Sequence, residues 1–197
     1  MRTPRFLSLA LLAAVPATVA WVALPTMKMQ PDSKLWIDGT STVRSFSCKA
    51  TAIDAVVETE APGAAAAVVA GSKAVRTVTV TIPAKKLDCA NGTMNGHMYK
   101  ALTADANPTI EFKVSTYDLA KTADGVKGTL NGTLKLGAVE RPIAVAAEGK
   151  KDGDGLRVTG IHELNMKEFG LKPPTLMMGT MKVNEKVKVG FDLLLKD

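Results

Sequence analysis

The sequence predicts an all-β fold, about eight antiparallel strands in a sandwich or barrel with one short helix over an open end. Three observations predict it. Apolar residues recur with a period of two in segment after segment. Turn formers, among them Pro62-Gly63, Asp124-Gly125 and Asp152-Gly153-Asp154-Gly155, separate those segments. Only one stretch carries a convincing helical spacing. At 197 residues, 46% apolar and 22% charged, the chain is one domain of ordinary globular composition, which excludes disorder and a disulfide-dense miniprotein.

The first 20 residues read as a leader. Arg2 and Arg5 precede an apolar run from Phe6 to Val15, and Thr18 and Ala20 carry the small side chains a signal peptidase reads. The expected divisions are a signal peptide over 1–20, a linker over 21–34 and a β-barrel domain over 35–197. An uncleaved anchor is the alternative, because Trp21, Val22, Ala23 and Leu24 extend the apolar stretch. Cleavage would remove Arg2 and Arg5 and lower the net charge from +6 to +4. So mild a charge, with lysines dispersed and aromatics at 5%, offers no electrostatic stripe or stacking platform and argues against nucleic acid as a partner.

The strands follow in order. Leu35 to Cys48 and Lys49 to Glu58 give two weaker ones. Val75 to Ile82 alternates cleanly, with Val78, Val80 and Ile82 on one face and Thr77, Thr79 and Thr81 on the other. The same alternation runs through Ile110, Phe112 and Val114, then from Val126 through Leu130 to Leu136, through Ile143, Val145 and Ala147, and through Leu156, Val158, Gly160, His162 and Leu164. In the final segment Val183, Val187, Val189, Phe191, Leu193 and Leu195 share one parity. Asn131-Gly132 is a strong hairpin pair, but the apolar parity survives across it, so one continuous strand is expected there. The helix is expected over Gly92 to Thr103, with Met94, Met98 and Leu102 at i, i+4 and i+8, ended by Asn107-Pro108.

Export makes the cysteines informative. Cys48 and Cys89 are the only two in the chain, and an oxidising compartment favours their pairing as a disulfide. Two separately buried thiols are the alternative, and the pair lacks the spacing of a zinc site.

An eight-stranded barrel is wide enough either to be packed with side chains or to hold one small apolar ligand. Small residues at inward parity, Gly128, Gly132, Ala147 and Gly160, argue for unfilled volume. Methionines at 94, 98, 177, 178 and 181 suggest a mouth adaptable to apolar partners, although they would serve equally as a plug. Helix spacing and strand parity nominate Met94, Met98, Leu102, Phe112, Leu130, His162 and Phe191 as ligand-binding residues. His162, with Glu185 at the apolar parity of the last strand, could hold a polar head or shuttle a proton; a core histidine beside a solvated glutamate is the plainer alternative. His97 reads as a residue of the helix surface or the mouth.

Thioethers also suit Cu(I), with Met27 and Met29 as further ligands, but two histidines and no Met-rich repeat argue against a metal site. No GxSxG elbow, HExxH, P-loop or dinucleotide fingerprint is present. No catalytic residue and no cofactor are therefore nominated, and an enzyme is not expected.

Four segments in order resemble one known family. LWIDGTSTVRSFSC, MNGHMYKAL followed by NPTIEFKVS, VKGTLNGTLKLGAVERPIAV, and NMKEFGLKPP ahead of VKVGFDLLL are similar to the YceI family of bacterial periplasmic proteins, from about Leu35 to Lys196. The resemblance implies a lipocalin-like, eight-stranded antiparallel barrel whose apolar cavity takes a polyisoprenoid or related lipid such as an isoprenoid quinone, in the periplasm. A transient contact with a membrane would accompany such a role, while the sequence sets no oligomeric state. A barrel with a filled core, serving structure or partner interaction, is the competing expectation.

Overall fold

The computed structural model describes residues 24–176 and 180–197. The expected leader over 1–20 and its alternative as an anchor lie outside the described residues, as do Met177 and Met178. From Thr26 the chain forms β1 (Thr26–Met29) and β2 (Lys34–Thr40), returns through β3 (Ser45–Ala50) and β4 (Asp54–Thr59), and passes by helix α1 (Ala64–Val69) into β5 (Val75–Pro83) and β6 (Leu87–Asp88). Helix α2 (Gly92–Ala101) leads to β7 (Thr109–Tyr117), β8 (Ala120–Thr122), β9 (Gly125–Leu136), β10 (Val139–Asp152) and β11 (Gly155–Asn165). A small hairpin, β12 (Thr175–Leu176) and β13 (Met181–Lys182), precedes β14 (Lys186–Lys196).

Eight antiparallel strands close the barrel in the order β1, β4, β5, β7, β9, β10, β11, β14, and β14 pairs with β1 to complete the ring. Closure removes the unpaired edge that an open sheet would expose. The long β14 carries two partners in succession, β1 at Leu195 and Lys196 and β2 from Lys188 to Asp192. β1 and β2 thus share one place in the wall, broken around Pro31, and β3 and β4 share the next.

Several expectations change. Thr26–Met29, within the stretch expected as a linker, is barrel wall. It is short, but Met27 is only 2% exposed and packs into the core, which ties the segment down. The expected strand from Leu35 to Cys48 turns back at Ser41, whose hydroxyl donates to the Arg44 carbonyl at 2.9 Å and accepts from the Val43 and Arg44 N–H groups. Such a hydroxyl-made turn breaks a strand without glycine or proline. The last strand begins at Lys186; Val183 makes only an isolated bridge to Ser41. In β7 an irregularity between Val114 and Thr116 changes the inward phase, so Val114 pairs with Gly132 and Tyr117 with Leu130. Asn131-Gly132 does lie within continuous β9. Glycine is needed there for close approach rather than for a turn, since a Cβ would sit 2.2 Å from the Lys113 carbonyl oxygen.

Among the described residues there are two α-helices where one was expected. The Ala-rich segment forms α1, entered through Gly63 at φ 82°. Ala64, Ala65 and Val68 are buried and pack with Met27, Val57, Val126, Leu156 and Leu195 across one end of the barrel. Their small side chains let the helix sit deep between the strand ends. On the outer wall Arg157 binds three carboxylates, Asp152 at 2.6 Å, Asp192 at 2.7 Å and Asp32 at 2.9 Å. The Arg157 hydrogen bond holds the Asp32 carboxyl below its ordinary value and pins the break between β1 and β2 against β11. No helix among the described residues is long and apolar enough to cross a membrane.

Candidate functional site: the barrel cavity

The interior is a continuous cavity of about 660 Å³, within the range of small-molecule sites. Alternation in every strand builds it: β11 contributes Leu156, Val158, His162 and Leu164, while β14 contributes Val187, Val189, Phe191, Leu193 and Leu195. The lining is almost wholly apolar. A space of this size is not a barrel core filled from rim to rim, the competing expectation from sequence.

All seven nominated residues, Met94, Met98, Leu102, Phe112, Leu130, His162 and Phe191, border this one cavity. Residues the parity argument did not nominate join them, including Leu35, Ile37, Phe46, Tyr117 and Val189. The alternation of the strongest strands could have found Val189. Phe46 and Tyr117 were hidden by the turn at Ser41 and the phase change in β7.

Not every inward glycine leaves volume open. A Cβ on Gly160 would lie 2.4 Å from Phe191 Cζ, and one on Gly132 would lie 2.9 Å from Phe112 Cε2. The rings of Phe191 and Phe112 occupy the space those glycines vacate, an arrangement in which an aromatic covers a bare stretch of strand.

The two ends are closed by different means. At one, α1 is built into the apolar core. At the other, α2 brings Met94, His97, Met98, Ala101 and Leu102 over the cavity, yet none of its ten residues is fully buried. Its helical turns end at Ala101 rather than Thr103, where the backbone enters the left-handed region at φ 51°; Ala90, just before the helix, does so at φ 56°. Polar contacts hold the helix. The Asn91 side chain accepts from Met94 N–H, Asn95 bridges Asp88 and Cys89, and the Tyr99 hydroxyl donates to the Leu87 carbonyl at 2.8 Å. Hydrogen bonds from Asn95 and from the Ala90 N–H lower the pKa of Asp88.

Cys48 and Cys89 form the expected disulfide and join β3 to the segment leading into α2. Both cysteines border the cavity, and Met98 Sδ lies 3.8 Å from Cys89 Sγ.

His162 faces inward. Its cross-strand partner is Val189, which in turn faces Ile37. Burial alone pushes the imidazole below its ordinary value of 6.5. The anticipated partnership with Glu185 does not form: Glu185 lies just before the start of β14 and its carboxylate pairs with Lys167. Met27, buried at the α1 end, and Met181, on β13, both border the cavity.

A closed eight-stranded antiparallel barrel around an apolar cavity defines a lipocalin-like barrel protein. Residues 35–195 match the YceI-like domain, and the chain belongs to that family. Among solved structures it is similar to BcnA of Burkholderia cenocepacia (TM-score 0.65, 18% identity, covering 82% of this chain and 95% of that one). It is also similar to the YCEI protein of Campylobacter jejuni (TM-score 0.57, 17% identity, 75% and 82% covered). A third is a polyisoprenoid binding domain from Saccharophagus degradans implicated in plant cell wall breakdown (TM-score 0.59, 12% identity, 87% and 97% covered). At these identities the likeness is one of fold. No curated protein matches the chain in sequence.

Proposed function

We propose that the protein binds an amphiphilic lipid of the polyisoprenoid or isoprenoid-quinone class in its barrel and carries it through the periplasm, as a binding protein rather than an enzyme. The observation that carries this reading is the apolar cavity of about 660 Å³. Each buried methylene contributes about 0.8 kcal/mol, so about ten buried carbons gain roughly 8 kcal/mol before the entropic cost of association. Membership of the YceI-like family and the likeness to a polyisoprenoid binding domain support the ligand class. The leader and the disulfide support export.

Native mass spectrometry on protein isolated from the periplasm, followed by apolar extraction, tests the reading. The expected result is one lipid per chain. Recovery of ligand-free protein that ignores both isoprenoid quinones and prenyl phosphates would overturn it.

A further inference from the structure

We propose that His162 donates a hydrogen bond to an oxygen of a neutral, planar head group, which lies inside the barrel against the Phe191 ring instead of at the rim. This rests on the lipid-binding reading above and makes it specific.

Charge distribution in the cavity wall is the first argument. Of the described residues bordering the cavity, Arg44 is the one permanent cation, and it sits on the turn between β2 and β3 at the rim. The two acids among them do not supply inward charge at this level. Glu148 pairs its carboxylate with Lys127 on the outer face, and Asp118 belongs to the connection between β7 and β8 near the α1 end. A phosphate or pyrophosphate drawn to the level of His162 would meet no fixed positive charge and would lose its hydration uncompensated. A carbonyl or hydroxyl oxygen needs only one donor.

His162 supplies that donor. Its strand neighbours at inward parity are Gly160 and Leu164, and its cross-strand partner is Val189, so no residue in its own row competes for the ring N–H. Burial pushes the imidazole pKa below its ordinary value and so favours the neutral ring, in which one nitrogen is a donor and the other an acceptor. His97, on α2, is the other imidazole at the cavity and belongs to the cover above rather than to the wall.

Shape is the second argument. Gly160 lies two residues from His162 along β11 and carries no side chain, and the Phe191 ring lies across it. The register thus sets the Phe191 ring one inward position along the wall from the donor, and a quinone-like ring calls for such a neighbourhood: an aromatic to stack on and a hydrogen bond at its edge. From His162 to Leu156 the strand runs on for about 20 Å at roughly 3.3 Å per residue, with apolar lining for a prenyl tail.

Calorimetric titration with ubiquinone-2 and, separately, geranylgeranyl phosphate tests the proposal. His162→Leu is expected to weaken ubiquinone-2 about five- to tenfold, the worth of one neutral hydrogen bond, and to leave geranylgeranyl phosphate within about twofold. His162→Gln, which keeps a donor, is expected to recover most of the loss. In the wild-type protein, ubiquinone-2 should shift the His162 ring nitrogen resonance, a readout independent of any variant's folding. Equal losses for both ligands, an unchanged ubiquinone-2 affinity in His162→Leu, or an unmoved resonance at saturation would each overturn the role of His162 while leaving lipid binding standing. Failure of both ligands to bind wild-type protein would overturn the lipid-binding reading itself.

Discussion

Asp197 caps helix α1: its two carboxylate oxygens accept from the backbone N–H of Ala64 at 2.9 Å and of Ala65 at 3.2 Å. Gly63, at the position where a serine or aspartate ordinarily does this, has no side chain to offer. The cap is therefore delivered from across the fold, and it couples the end of β14 to the helix that closes the barrel. Asp197→Ala is expected to cost about 1 kcal/mol. Urea unfolding should show a lower midpoint at unchanged slope, and Asp197→Asn, which retains an acceptor, should lose less. A wild-type midpoint for Asp197→Ala would show that the cap contributes nothing.

Removing the disulfide should act on stability and on the cover together. Cross-linking a loop of about 42 residues is worth roughly 4 kcal/mol in the chain-entropy model. Cys48→Ser/Cys89→Ser protein is expected to melt about 8 to 16 °C lower. Because Cys89 leads into α2, hydrogen exchange in Gly92–Ala101 should accelerate more than in β9 or β10. Uniform acceleration across the barrel would mean that the bond does not specifically hold the cover.

Two pH windows follow from the shifted groups. His162 has a folded pKa below 6.5, so the unfolded chain takes up its proton first. Its contribution to stability is complete above pH 6.5 and declines as pH falls through the folded value. His162→Leu should flatten that part of the profile. Asp32 is depressed below 3.8 by Arg157, so its contribution is present above that value and is lost only at lower pH. Arg157→Gln should diminish the second decline and leave the first. Thermal midpoints measured from pH 8 to pH 2.5 separate the two.

Filling the cavity tests capacity without touching the donor. Ala147 borders the space on β10. Ala147→Phe is expected to keep the fold, since the added ring enters open volume, and to reduce lipid retained per chain at least severalfold by native mass spectrometry. Undiminished lipid in a folded Ala147→Phe protein would place the ligand elsewhere.

Much of the wall was legible because a strand with one buried face writes a period of two into its residues. Val75–Pro83, Gly125–Leu136 and Gly155–Asn165 show this plainly. What escaped has specific causes. Thr26–Met29 is too short to display a period, and only its burial in the finished barrel makes it a strand. Ala64–Val69 escaped because the feature that makes it useful, side chains small enough to enter the barrel end, is also what removes any amphipathic pattern. The turn at Ser41 depends on a hydroxyl bonding its own neighbourhood, which leaves no glycine or proline as a marker. The cavity residues on the strongest strands and on α2 could be nominated from spacing. The Gly160 and Phe191 relationship, and the loss of Glu185 to Lys167, depend on register and on side-chain reach, which no single segment encodes.

The contrast between the two barrel ends sets how a lipid would enter and leave under the proposed function. With α1 sewn into the packed floor and α2 laid across the top on polar ties, the vessel is blind at its base. Under the proposed function, a lipid loaded there would leave by the doorway it entered, and donor and acceptor would meet the same face of the protein in turn, a handover by rotation, not a flow along a pipe.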